Sequence, residues 1–395
     1  MSAPDRASPP TVEAPPRRPF KRWWFLGTGL LLVAVVVVFA VVLWTQTQWQ
    51  EQSAPFGAGN FGNSITCSTD ASCLIATSNG LVLTAAQRGA SWNVAPPTVA
   101  GDDRIGGVDC NDLDCFLLTQ AGSIYVSQDG GADFSGSGRL YQSPRDVVPF
   151  QSLTCTTGGG FCMAIAAKNY VGSVHQKIQV WSGVQQSQDA GPNLNPVATW
   201  TTSEHRFAPL VPICMTSLVC EGWSGNGVWR TEDAGRTWTQ QIGLSLTGPT
   251  SMSCSSTSAC AVGTSSGVVR FTHDGGRTWT SRFIPQWRPP SCAGDMTLQQ
   301  ADTCGAEQAV TGLYCWSSSS CYATSAGTGT TSNNEQFPNG SIVETRDGGR
   351  TWSTMSIPGG LLVSDISCAS HSSCWALAYT SASNDNGQPV LLRLH

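Results

Sequence analysis

Charge is scarce in this chain. Asp, Glu, Lys and Arg make up only 12% of its 395 residues, and the formal net charge is −5. Lysine occurs three times, at Lys21, Lys168 and Lys177. No basic stripe exists that could neutralise phosphates, which argues against nucleic acid as a partner. The histidines are scattered, and the chain lacks a phosphate-cradling glycine loop, a nucleophile elbow and a histidine pair at metal-ligand spacing. No cofactor or metal is therefore expected. The run from Asp109 through Asp112 to Asp114 has oxygen ligands but lacks the glycine and final glutamate of a twelve-residue calcium loop, so it reads as a solvated turn. Cysteine is missing before Cys67, and basic residues are missing between Arg22 and Arg88.

That second gap bears on topology. Trp24 to Trp44 is an uncharged run of 21 residues, long enough to cross roughly 30 Å of hydrocarbon as a helix. Arg6, Arg17, Arg18, Lys21 and Arg22 precede it, so the excess of positive charge assigns the N-terminal side to the cytoplasm. A cleaved signal peptide is the competing reading, but the apolar run is long for one and no small-residue cleavage pattern ends it. The expected organisation is a disordered cytoplasmic tail (1–23), a single transmembrane helix (24–44) and an extracytoplasmic domain (45–395), located at the cell membrane.

What the chain does have is repetition. THDGGRTW (Thr272 to Trp279) recurs as SQDGGADF (Ser127 to Phe134), TEDAGRTW (Thr231 to Trp238) and TRDGGRTW (Thr345 to Trp352), with a decayed copy, AAQRGASW, ending at Trp92. Alternating apolar residues precede each copy and another short run follows, which spells strand, turn, strand. An Asp in such a turn accepts hydrogen bonds from the amides after it, Gly supplies positive φ, and the terminal Trp or Phe buries apolar surface.

The cysteines, 16 in all, come in close pairs: Cys67 with Cys73, Cys110 with Cys115, Cys155 with Cys162, Cys214 with Cys220, Cys254 with Cys260, Cys315 with Cys321 and Cys368 with Cys374. An eighth pair, Cys292 with Cys304, sits in a long connection. Even number and local spacing read as disulfides formed outside a reducing compartment. Each would staple a hairpin and contribute roughly 2 to 2.5 kcal/mol in the chain-entropy model. First-cysteine spacings of 43, 45, 59, 40, 61 and 53 residues, each unit holding four short strands, describe a seven-bladed β-propeller of four-stranded antiparallel blades, an all-β fold preceded by one transmembrane helix. The last unit lacks its fourth strand, because the chain stops after the third, Pro389 to His395. Thr47 to Gln52 (TQWQEQ) is similar to TWTQQ at Thr237 to Gln241 and is expected to supply it, closing the ring.

The turn S/T-x-D-x-G-x-T-W/F is similar to the Asp-box, or bacterial neuraminidase repeat. Its four intact copies resemble the superfamily that holds sialidases, xyloglucan-type glycosidases, sortilin-like receptor domains and photosystem II stability and assembly factors. The resemblance implies that Asp129, Asp233, Asp274 and Asp347, with Trp92, Phe134, Trp238, Trp279 and Trp352, are fold residues remote from any catalytic face. The arginine motif that sialidases carry in their opening blade is absent, and Arg104-Ile105-Gly106 echoes it only weakly. Loop carboxylates at Asp102, Asp103, Asp146, Glu204, Asp295, Asp302 and Glu307 are the ones that could form a glycosidase pair.

Strand order sends the cysteine turns and Asp turns to one face of the disc and the variable loops to the other, where function on propellers tends to reside. Because the chain enters from the anchor on the Asp-turn side, the variable face is expected to look outward. It carries Arg104, Arg145, Arg206, Trp287 and Arg288 as candidate ligand contacts, with packing of the Trp287 loop as the structural alternative. The function expected is a non-catalytic binding or assembly module in the cell envelope, with an envelope protein or a glycan as ligand. The alternative is a sialidase-like or xyloglucanase-like glycoside hydrolase.

Overall fold

A computed structural model describes residues 49–53, 62–69, 72–77, 80–86, 91–94, 104–140, 148–156, 160–169, 176–187, 190–202, 211–224, 227–241, 248–287, 308–327, 340–380 and 388–394. The tail and the apolar run 24–44 lie outside them, as does the expected disulfide of Cys292 with Cys304. No helix among the described residues is long and apolar enough to cross a membrane.

The described residues form seven antiparallel sheets, the blades of a propeller. Their inner strands are Gly62–Thr69, Ile105–Asn111, Phe150–Cys155, Val211–Cys214, Pro249–Cys254, Gly312–Cys315 and Leu361–Ser370. Blade 5 shows the plan, with Pro249–Cys254, Cys260–Thr264, Val268–Thr272 and Thr280–Phe283 paired in chain order. Blade 3 departs from it. Its third strand, Gln176–Ser187, is much longer than the expected Lys177 to Trp181 and pairs with both Ala190–Pro192 and Asn195–Thr202, which makes five strands. That blade has no Asp turn to end its third strand, so pairing runs on into a hairpin.

Blade 7 closes the ring as expected. Its first three strands, Leu361–Ser370, Ser373–Thr380 and Pro389–Leu394, are completed by Trp49–Ser53. Trp49 lies opposite Leu394 and Ser53 opposite Val390 in antiparallel register. The segment therefore begins on the Asp-turn face.

Seven staples are formed as expected, one per blade. Cys67 is bonded to Cys73 in blade 1, Cys110 to Cys115 in blade 2, Cys155 to Cys162 in blade 3 and Cys214 to Cys220 in blade 4. Cys254 is bonded to Cys260 in blade 5, Cys315 to Cys321 in blade 6 and Cys368 to Cys374 in blade 7. In every case the two cysteines stand directly opposite one another where the inner strand meets the second.

The Asp turns are equally regular. Thr278 donates its amide to Asp274 Oδ1 at 2.9 Å and its hydroxyl to Oδ2 at 2.6 Å, while the Gly276 amide donates to Thr272 Oγ1 at 2.9 Å. Asp233 and Asp347 repeat this scheme. Asp129 keeps only its amide half, because residue 133 is Asp and offers no hydroxyl. The first glycine position has positive φ in every intact copy, including Ala234 at 60°.

The second glycine does a different job. A Cβ at Gly349 would lie 2.7 Å from Phe271 of the preceding blade, and one at Gly235 would lie 2.8 Å from Met163. The turn thus presses its backbone on the neighbouring blade. The apolar core follows the same logic, since it divides into seven clusters, each at one blade-to-blade interface. The Asp-turn aromatics feed these clusters: Trp352 is buried between blades 5 and 6, and Trp92 meets Trp375 edge-on at 5.2 Å between blades 1 and 7.

Two measurements check this account. Gly348→Ala meets open space and should cost about 1 to 2 kcal/mol for its left-handed φ alone, whereas Gly349→Ala should cost about 3 kcal/mol or more, in urea unfolding. Equal losses would break the assignment of the second glycine to interface packing. Trp49 is 3% exposed and packs with Leu392, Leu394 and Tyr322; Trp49→Ala should cost about 3 to 5 kcal/mol, and a loss under about 1 kcal/mol would mean that this strand does not close the ring.

Candidate functional site

The inner strands of neighbouring blades lie side by side, blade 7 beside blade 1, and hydrogen bonds cross between them. The residue before the first cysteine of one blade accepts the amide of the first cysteine of the next: Ser367 from Cys67 at 2.9 Å, Ser253 from Cys315 at 2.9 Å and Asp109 from Cys155 at 2.6 Å. Asp109 also accepts from the Thr66 hydroxyl and the Cys110 amide. The expectation of a solvated turn over 109–114 is corrected at this point. Asp109 is an inter-blade clamp, while Asp112, with φ of 53°, makes the exposed turn. Sequence alone misses this because the partners come from blades 1 and 3.

Around the axis these strands leave a cavity of about 540 Å³. Its lining takes Ser64, Gly107, Ser152, Val211, Ser251 and Asp365 from the position three before the first cysteine, and Gln120 and Trp223 from the far ends of second strands. Both sets lie at the strand ends away from the cysteine turns, so the cavity opens on the face opposite the cysteine and Asp turns. It is polar, and Asp365 is the one ionisable side chain among the described residues that line it.

A larger depression, about 770 Å³, lies between blades 4 and 5 on the Asp-turn face. Three of its charged groups are already engaged. Asp233 and Asp274 are used by their own turns, and Arg230 is held by Glu221 at 2.7 Å, Glu232 at 2.9 Å and the Thr257 carbonyl at 3.0 Å. We therefore take the central cavity as the site.

Glu221 is fully buried in blade 4, and its Oε2 has no hydrogen-bond partner among the described residues. The equivalent place, just after the second cysteine, holds Leu74, Phe116, Met163, Ala261, Tyr322 and Trp375 in the other blades. Aligning the repeats against each other would have exposed this odd member.

The sequence-based ligand contacts fare unevenly. Arg104 is exposed at the head of the blade 2 inner strand, its carbonyl accepting the Gln120 amide at 2.7 Å. Trp287 is corrected: it is 4% exposed, packs in the core between blades 5 and 6 and donates its indole N–H to Ser341 Oγ at 2.6 Å. A large aromatic closing a short 3₁₀ turn fills the interface below it. Arg145, Arg206 and Arg288 lie outside the described residues, as do Asp102, Asp103, Asp146, Glu204, Asp295, Asp302 and Glu307.

Burial pushes Asp109 and Asp365 up to about 6 and Glu221 up to about 7, against the pull of their hydrogen-bond donors. Hydrogen bonds from Thr278 and Thr351 hold Asp274 and Asp347 down at about 2.

No family model and no curated protein matches the sequence. Solved structures do. YCF48 from Cyanidioschyzon merolae superposes with TM-score 0.59 at 14% identity over 88% of this chain and 98% of its own. A structure of YCF48 bound to D1 peptide gives TM-score 0.58 at 14% identity, over 88% and 94% of the chains. The GH74 xyloglucanase from Xanthomonas campestris gives 0.55 at 12% identity over 86% of this chain but 55% of the enzyme. At such identities the likeness establishes the fold. The chain is a seven-bladed β-propeller with a polar axial cavity.

The two groups of carboxylates pull stability in opposite directions. For the three raised ones, the unfolded chain ionises first as pH climbs from about 4 to about 7, so the folded state loses stability over that window. For the lowered pair, stability is lost as pH falls from about 4 towards 2. The melting temperature should therefore peak near pH 4 to 5, and Glu221→Gln should flatten the decline above about pH 5. A wild-type profile that rises steadily to pH 7.5 would contradict the raised values.

Proposed function

We propose that this propeller is a non-catalytic binding module of the cell envelope, carrying Asp-box repeats, anchored by residues 24–44 and presenting the axial cavity and its surrounding loops to a peptide segment of a partner protein. The observation that carries this is the lining of the cavity. Hydrolysis of a glycosidic bond needs two carboxyl groups flanking it, and the described lining supplies one, set among serines, threonines, glutamines, glycines and apolar residues such as Val211, Trp223 and Leu313. A cavity of hydrogen-bonding groups on a rigid ring is suited to holding an extended chain, whose backbone brings donors and acceptors at regular intervals. The peptide-bound YCF48 structure shares this fold, which is consistent with a peptide ligand.

A photo-crosslinking amino acid at Gln151, an exposed residue of the cavity wall, should yield a discrete protein adduct in intact cells. The same group at Arg277, exposed on the Asp-turn face, should not. Adducts from Arg277 alone would overturn the choice of face. Turnover of xyloglucan or a fluorogenic sialoside by the purified chain, abolished by changing a loop carboxylate, would replace the binding module with a glycoside hydrolase.

A further inference from the structure

The ring position three residues before each first cysteine reads Ser64, Gly107, Ser152, Val211, Ser251, Gly312 and Asp365 round the seven blades. Six are small or neutral and one is charged. Asp365 accepts the amide of Ile65 in blade 1 at 3.2 Å and that of Ile366 beside it at 2.8 Å. Joining blade 7 to blade 1 does not require a charge, because Ser367, two residues on, accepts the Cys67 amide as a neutral hydroxyl. Asp109, the other carboxylate of the inner strands near the axis, is used up by donors from three blades. Asp365 is half-buried in the cavity wall and has no cationic partner among the described residues.

A carboxylate with two amide donors retains lone pairs for further donors, and an unpaired charge in a partly enclosed site is costly until a counter-charge arrives. Resting on the peptide-binding reading above, we propose that the cavity selects a basic side chain of its partner, with an ammonium or guanidinium group inserted along the axis to pair with Asp365. The serine, threonine and glutamine side chains around it would take the group's remaining N–H donors. Ser64, at the neighbouring ring position of blade 1, is a small residue of the same wall. Burial pushes the Asp365 carboxyl up to about 6, which agrees with a carboxylate that meets no cation within its own chain.

The test uses the full chain in detergent micelles and four pentapeptides blocked at both ends, serine-glycine-X-glycine-serine, with X lysine, arginine, norleucine or glutamate. Saturation-transfer NMR, suited to weak binding, reads the affinities. Lysine and arginine peptides should bind about tenfold tighter than norleucine, with glutamate weakest. Asp365→Asn should erase the preference, and lowering the pH of wild type from 7.5 to 5 should erode it without unfolding, which covers the case of a variant that fails to fold. Equal binding of all four, or a preference surviving both changes, overturns the basic side chain but leaves a peptide module standing. Binding by none of them overturns it too, and the crosslinking result then decides the wider reading separately.

Discussion

Everything in this molecule depends on the contact of one blade with the next. A four-stranded sheet of this size buries little by itself, and the apolar side chains of each blade find their partners across an interface, in seven separate clusters. Such a ring is only as sound as its closure, because an open array would leave two apolar faces and two strand edges in water. The strand at Trp49–Ser53 joins the first-encountered part of the propeller to the last, and Trp49 carries apolar surface into the interface of blades 6 and 7. Deep inside, Asp365 and Ser367 tie the inner strand of blade 7 to that of blade 1.

The local devices serve the same end. Staples such as Cys254 with Cys260 hold each hairpin at the point where inner and second strands part, and the Asp turns hold the outer hairpin while pressing a glycine on the preceding blade. Hydroxyl and carboxylate side chains carry much of this work, which is how a chain with few charged residues still orders its turns.

The interface of blades 4 and 5 is the exception. Its apolar cluster is the smallest, and Arg230 crosses it to reach the Thr257 carbonyl while neutralising buried Glu221. A buried ion pair sets two desolvation costs against one attraction and contributes little net stability, though losing one partner is severe. The large depression on the Asp-turn face opens at this same seam.

The chain's own spelling determined the blades. Cysteine pairs and Asp turns act over a handful of residues, so their spacing announces hairpins and their count announces seven units; even the closing strand was legible, because Thr47 to Gln52 has the composition of a fourth strand. The long hairpin of blade 3 was not, because nothing in Gln176–Ser187 marks where pairing stops. Tertiary structure alone decided which side chains do what at the centre. Asp109 and Asp365 look alike in sequence, yet one is saturated by three blades and the other faces the axis, and Trp287 turned from candidate contact into core. Their surroundings are assembled from blades dozens to hundreds of residues apart, and no local pattern encodes what such distant strands bring alongside.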